Sequence, residues 1–319
     1  MKLRILGALV SLFSLCSICL AGGSDQPESS VKEAAVKIIE AAERDQGAWE
    51  KLVSLCDHIG HRLSGSIQLE KAIDWAVDQM ERDGLENARR QPVQVTHWVR
   101  GKESAEMVAP FHRPIPMLGL GRSVGTPEDG IEAPVVVVKS FDEMEALGRD
   151  TVEGKIVLYN QPWDGYGRTV QYRTRGASRA AALGAVAVLV RSVTPESLRT
   201  PHTGTLSYTS DAPRIPAAAV PIEDALQLQR LQDSGIPVRV RLVMGARNLP
   251  PAMSANAIAE LRGRELPDEI VVIGGHIDSW DVGQGAHDDG AGVVVSMQAA
   301  KLLHDLGLRP RRTIRVVLF

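Results

Sequence analysis

The stretch EIVVIGGHIDSWDVGQGAHDDGAGVVVSMQAAKLLHDLGLRPRRTIRVVLF, residues 269–319, decides the fold. Glu269 to Gly274 reads as a strand, with Ile270-Val271-Val272-Ile273 apolar on both faces. Such a run is expected inside a sheet that is covered on both sides. Residues 290–306 have helical periodicity through Val293, Val294, Met297, Ala300, Leu303 and Leu306, and Gly307 stops them. Thr313 to Phe319 is a second apolar strand, broken only by Arg315. Strand, helix and strand in about fifty residues make a parallel βαβ unit, right-handed by default. The fold class is therefore α/β.

Between the first strand and the helix, residues 274–292 hold four aspartates and two histidines among glycines. His276 falls at the carboxyl end of the strand, and Asp288 and Asp289 open the helix. In open α/β sheets ligands bind outside the carboxyl ends of strands. Imidazole and carboxylate together suit a divalent metal, and mixed N/O ligation favours zinc. Asp278, two residues past His276, is placed to take the other ring N–H and fix its orientation. A second reading stands beside this one: Asp288 and Asp289 as helix N-caps and His276 as a hydrogen-bonded strand-end histidine. Spacing alone leaves both open.

The chain has 319 residues, 44% hydrophobic and 24% charged, with a formal net charge of −3. That is ordinary globular composition, long enough for two domains. Near-neutral charge without a large basic block excludes nucleic acid as the main partner. Met1-Lys2-Leu3-Arg4 followed by an apolar run to Leu20 reads as an export signal cleaved after Ala21. The run is short and a polar segment follows at once, so no membrane span is expected after signal removal, and the protein is expected to be secreted or periplasmic. Cys16 and Cys19 fall within that signal. Cys56, at helical spacing with Leu52, Val53, Leu55 and Ile59, reads as a buried inert thiol.

Upstream, residues 31–59 show helical spacing through Val36, Ile39, Trp49, Leu52 and Val53. HRLSGS (61–66) is a turn, with Arg62 tying the amino-terminal helices to the sheet. Gln68 to about Arg82 is a helix ended by Gly84, and Pro92 to Val99 alternates like a strand. Prolines and glycines crowd residues 114–130 and again 245–251, marking boundaries. Between them lie short strands at 135–138, 155–159, 185–190, 215–220 and 238–243, with helices at 177–183 and 223–232. This reads as a small α+β or β-sandwich-like module. GLGRSVG (119–125) lacks a flanking strand and helix and is not a dinucleotide site. Trp163, Tyr166 and Tyr172 read as packing inside the module, His202 as a loop histidine held locally, and Arg309, Arg311 and Arg312 as a solvated rim.

HIDSWDVGQGAHDDGAG resembles the catalytic segment of the co-catalytic zinc exopeptidases. RLSGS, HWVRGKESA, LGLGRSVGTP, KIVLYNQPW, RTVQYRTRGA, PHTG and DLGLRPRRT carry the same resemblance along nearly the whole chain. The resemblance implies a mixed sheet flanked by helices, incomplete here, with an inserted β-rich protease-associated domain. It divides the chain into a signal (1–21), the amino-terminal part of the peptidase domain (22–125), the insert (126–248) and the start of the catalytic core (249–319). It implies two Zn2+ per complete site, with His276 a terminal ligand, Asp288 a bridging one, Asp278 the group that orients His276, and a cis peptide after Asp288. His287 departs from the pattern, which has asparagine or methionine there. The general base and further ligands are expected beyond Phe319, so the chain reads as an amino-terminal part of a longer enzyme, inactive by itself. The activity implied is hydrolysis of short peptides or dipeptides, as a carboxypeptidase. An aminopeptidase of the same clan, or a non-catalytic receptor or scaffold, are the alternatives. The relatives imply a homodimer.

Overall fold

The computed structural model describes residues 27–319, so the expected signal lies outside the described residues. In chain order the elements are α1 (Pro27–Ala42), α2 (Gly47–Val53), a π-helical turn (Ser54–Ile59), α3 (Ile67–Arg82), β1 (Glu86–Val99), β2 (Glu103–Ala109), β3 (Arg113–Ile115), β4 (Leu118–Gly119) and β5 (Ile131–Val138). They continue with α4 (Phe141–Val152), β6 (Ile156–Tyr159), α5 (Tyr166–Ala182), β7 (Ala187–Arg191), β8 (Ala217–Val220), α6 (Ile222–Asp233), β9 (Arg239–Met244) and β10 (Arg247–Leu261). The last are β11 (Leu266–Gly275), a π-helical turn (Ala286–Gly290), α7 (Ala291–Asp305) and β12 (Arg312–Leu318).

Two sheets result. The first has the order β1-β10-β12-β11, with β11 and β12 parallel and the other pairs antiparallel. Helix α3 shows why it covers this sheet. Ser66 caps its start by accepting from Leu69 N–H at 3.2 Å. Leu69, Ala72, Ile73, Ala76 and Met80 then recur on one face, all buried. Gly84 at φ +80° turns the chain away, and Leu85 N–H returns to the Met80 carbonyl. This face meets Ala255, Ala257, Ala259 and Leu261 of β10, and Val293, Val294 and Met297 of α7 close the same core.

The second sheet has the order β3-β2-β9-β5-β6-β7-β8-β4. Strands β5 to β8 are parallel neighbours, β5, β6 and β7 joined through α4 and α5 and β7 to β8 by the long loop 192–216, and the pairs at each end are antiparallel. Apolar side chains fill both faces: Leu158, Leu189 and Val240 on one, Tyr159, Val188 and Met144 on the other. It is a single mixed sheet with helices, not a sandwich.

Strand β11 is outermost in its sheet among the described residues, and Ile270, Val271 and Val272 are exposed, by 41%, 46% and 61%. The apolar run marked a parallel strand correctly. Two other local expectations fail. The helical stretch 31–59 divides into three pieces, and Val36, Ile39 and Trp49 face outward. The helix expected at 177–183 starts earlier, at Tyr166, because polar Arg168, Arg173 and Arg175 hid the apolar face of α5.

Candidate active site

Strand β11 delivers His276 just past its end, held in line by pairing of Phe319 N–H with the Gly275 carbonyl and Ile277 N–H with the Phe319 carbonyl. The following loop returns to Gly285, which has φ +62° and leads into the π-helical turn. Asp288 and Asp289 lie there, joined by a cis peptide bond.

The two aspartates have different jobs. Asp289 turns inward. Its Oδ1 accepts from Gly292 N–H and its Oδ2 from His276 N–H, both at 3.2 Å, so it caps α7 and ties the helix to β11. Asp288 turns outward, its side chain 73% exposed. Its Oδ1 lies 2.9 Å from His276 Nε2, and Asp278 Oδ1 lies 2.9 Å from Nδ1. The capping and ligand readings of the Asp-Asp pair are thus divided between its members. His287 is exposed and belongs to neither arrangement.

His276 stands between two carboxylates, whose charge favours a cation between them. Burial by itself would lower its pKa, but hydrogen bonding and charge from Asp278, then the contact with Asp288, outweigh that and raise it. A metal ion serves the same electrostatic purpose as that proton. Nδ1 held by Asp278 leaves Nε2 as the nitrogen free to ligate. Among the described residues no group of three or more His, Cys, Asp or Glu is placed to hold a metal. His276 and Asp288 fit zinc chemically, as part of a ligand set. The Asp278→Asn variant is expected to weaken zinc binding about tenfold, since an amide supplies no charge to the imidazole. Competition against a chromophoric chelator measures this; unchanged affinity removes Asp278 from the role of orienting group.

Two clefts meet at Asp288. The first, of about 230 Å³, is lined by Leu63, Trp98, Trp280, His276 and Asp278. The second, of about 380 Å³, lies beyond Trp280 and is lined by Tyr166, Arg173, His202 and Thr205 of the second sheet's domain. Trp280 packs so closely on Gly121 that a Cβ there would sit 2.3 Å from the indole. Arg173 is 6% exposed. It donates to the Thr203 carbonyl at 3.2 Å and the Tyr166 hydroxyl at 2.6 Å, its Nε has no partner, and no acid pairs with it among the described residues. Burial, then the Arg173 charge, lower the pKa of His202, with Asp288 opposing them.

Arg173 escaped the sequence reading because a helical arginine is unremarkable until its neighbours are known. Tyr172 packs between Phe141 and Tyr159 as expected, whereas Tyr166 faces the cleft. Arg309, Arg311 and Arg312 pair with Glu86, Glu265 and Glu269, away from the site.

An imidazole between two carboxylates at a parallel strand's end, faced by a second domain, is the layout of a metal-dependent hydrolase. Residues 256–319 match Peptidase family M28 and residues 107–228 match the PA domain. The chain is 45% identical to human (Homo sapiens) carboxypeptidase Q over 97% of its own length and 68% of that protein's. The solved structure of a peptidase M28 precursor from Shewanella amazonensis SB2B superposes with a TM-score of 0.88 at 35% identity, over 92% of this chain and 67% of that one. A zinc aminopeptidase from Bacillus subtilis, at 22% identity and TM-score 0.63, over 86% of this chain and 61% of that one, shares the fold. The chain belongs to the carboxypeptidase Q family, within the M28 zinc exopeptidases.

Proposed function

We propose that the protein hydrolyses short peptides from their free carboxyl end, with His276 and Asp288 as zinc ligands and Asp278 holding His276. Bound zinc supplies a Lewis acid and an activated water to such a reaction, and the expected number is two ions. This chain's residues contribute the positioning. Asp278 keeps the imidazole in one tautomer, Asp289 holds the helix start against the strand, and Trp280 divides the space for substrate in two.

The observation that carries the carboxypeptidase reading is Arg173. A buried guanidinium without an acid, in the cleft that also holds Asp288, is a receptor for a carboxylate. An aminopeptidase needs the reverse, an anionic pocket for an amine. Burial and the Arg173 charge lower the pKa of His202 beside it. The name of the human relative agrees with this direction of cleavage. The inserted domain supplies the carboxylate-binding wall. Export, proposed from residues 1–21, and pairing into homodimers complete the reading. No helix among the described residues is long and apolar enough to cross a membrane.

The full-length protein should cleave dipeptides with free carboxyl ends and leave their carboxyl-terminal amides intact. Chelation should abolish the activity and added zinc restore it. Arg173→Gln should raise KM for free-acid dipeptides about tenfold, the worth of one charged hydrogen bond, with little change for amides. Equal cleavage of acids and amides by the parent protein would overturn the carboxyl-end reading.

A further inference from the structure

We propose that Arg62 is a positioning residue for the metal centre, its guanidinium fixing the separation of His276 and Asp288 by joining the two limbs of the loop that carries them. The inference rests on the reading of those two residues as zinc ligands.

Arg62 is fully buried, at 0% exposure. A cation so placed ordinarily has a carboxylate partner. Arg62 has none within ion-pair distance among the described residues, and main-chain carbonyls surround it instead. Nε donates to the Ile277 carbonyl at 2.8 Å. Nη1 donates to the Gly60 and Gln284 carbonyls, both at 2.7 Å, and Nη2 to Gly285 at 3.0 Å. Ile277 follows His276 directly, and Gln284 and Gly285 stand just ahead of the turn that holds Asp288. One planar group therefore grips the outgoing and returning limbs of the loop together.

The backbone of Arg62 is fixed to the same loop. Its N–H donates to Ser279 Oγ at 3.0 Å, and its carbonyl accepts from Ser279 N–H at 3.1 Å. Gly285 is bare on the side where the guanidinium approaches: a Cβ there would sit 2.8 Å from Nη2 and 2.3 Å from Ser279 Cβ. The Gly285 carbonyl also accepts from Gly290 N–H at 2.9 Å, so the same oxygen that Arg62 holds closes the turn around Asp288.

The chemistry demands arginine. Only a rigid fork of N–H donors reaches three chain segments at once; an ammonium is a point charge on a flexible stem. A residue that merely cements the fold would anchor helix to sheet. Three of the four carbonyls held by Arg62 belong instead to the segment between the two ligands.

The test compares the full-length protein with its Arg62→Lys and Ser279→Ala variants. It measures zinc affinity by chelator competition, hydrogen exchange of residues 277–285 in the zinc-free protein, and thermal unfolding. Arg62→Lys is expected to remain folded below its melting temperature, exchange the loop amides faster, and bind zinc about 10- to 100-fold more weakly. A folded Arg62→Lys protein with parental zinc affinity and parental loop exchange overturns the proposal and leaves Arg62 as fold cement. Where Arg62→Lys does not fold, Ser279→Ala, which loosens the seat of Arg62 and keeps its guanidinium, takes its place. Faster loop exchange with weaker zinc binding then supports the proposal, and parental values overturn it. Should the parent bind no zinc, the metal reading fails, while loop exchange in the zinc-free variants still decides whether Arg62 braces the loop.

Discussion

Asp288→Ala is expected to abolish zinc-dependent peptide hydrolysis while leaving the fold intact. A catalytic metal contributes several kcal/mol of transition-state stabilisation, and each 1.36 kcal/mol is tenfold in rate, so kcat/KM should fall at least about a thousandfold. The side chain is 73% exposed and among the described residues it contacts only His276, so unfolding free energy should move by no more than about 0.5 kcal/mol. Kinetics on dipeptides, elemental zinc analysis and a thermal melt on the same preparation separate the two quantities. Activity that survives in the variant and also survives chelation would remove the metallopeptidase assignment of this site.

The second large effect is expected at a residue with no side chain. A Cβ on Gly274 would lie 1.9 Å from the Val317 carbonyl oxygen, an approach that no relaxation of a side chain relieves. Gly274→Ala must therefore push β11 away from β12 two residues before His276. Overpacking of this kind costs about 1–3 kcal/mol of stability. A displacement of the imbedded imidazole near 1 Å costs on the order of a hundredfold in rate. Saturating zinc should not restore the loss, because the ligand is misplaced rather than absent. A variant with parental melting and parental kcat/KM would show that the close approach at Gly274 does not position His276.

The parts of this architecture governed by local periodicity were legible from residues alone. The 3.6-residue spacing of Leu69, Ile73, Ala76 and Met80 and the apolar runs of β11 and β12 placed those elements, since burial on one helix face or in a parallel ladder leaves a one-dimensional trace. The grouping of His276, Asp278 and Asp288 was legible because they fall within thirteen residues of one another around a strand end. Spacing alone did not tell which aspartate of the pair faces outward, since that depends on the turn at Gly285; only the resemblance singled out Asp288. Arg173 left no sign, and Arg62 was read only as a tie between the amino-terminal helices and the sheet. Each matters through what surrounds it: for Arg173 a missing acid, for Arg62 carbonyls more than two hundred residues away.

The join between the two domains has its own consequence. The β1–β10 ribbon continues as the β2–β9 ribbon, with Val99 opposite Arg247 on one side and Glu103 opposite Met244 on the other. Between them Gly101, at φ +68°, passes so near Gly245 that a Cβ would meet its oxygen at 2.5 Å. Arg100, beside this crossing, grips Asp281 in the ligand loop with two hydrogen bonds, at 2.9 and 2.7 Å, and the Gly119 carbonyl at 2.7 Å. The span between Asp288 and Arg173 is therefore gauged at a bare backbone crossing, and on the proposed reading so is the length of peptide that fits between them. A bulkier residue at position 101 would reset that ruler without touching either end of it.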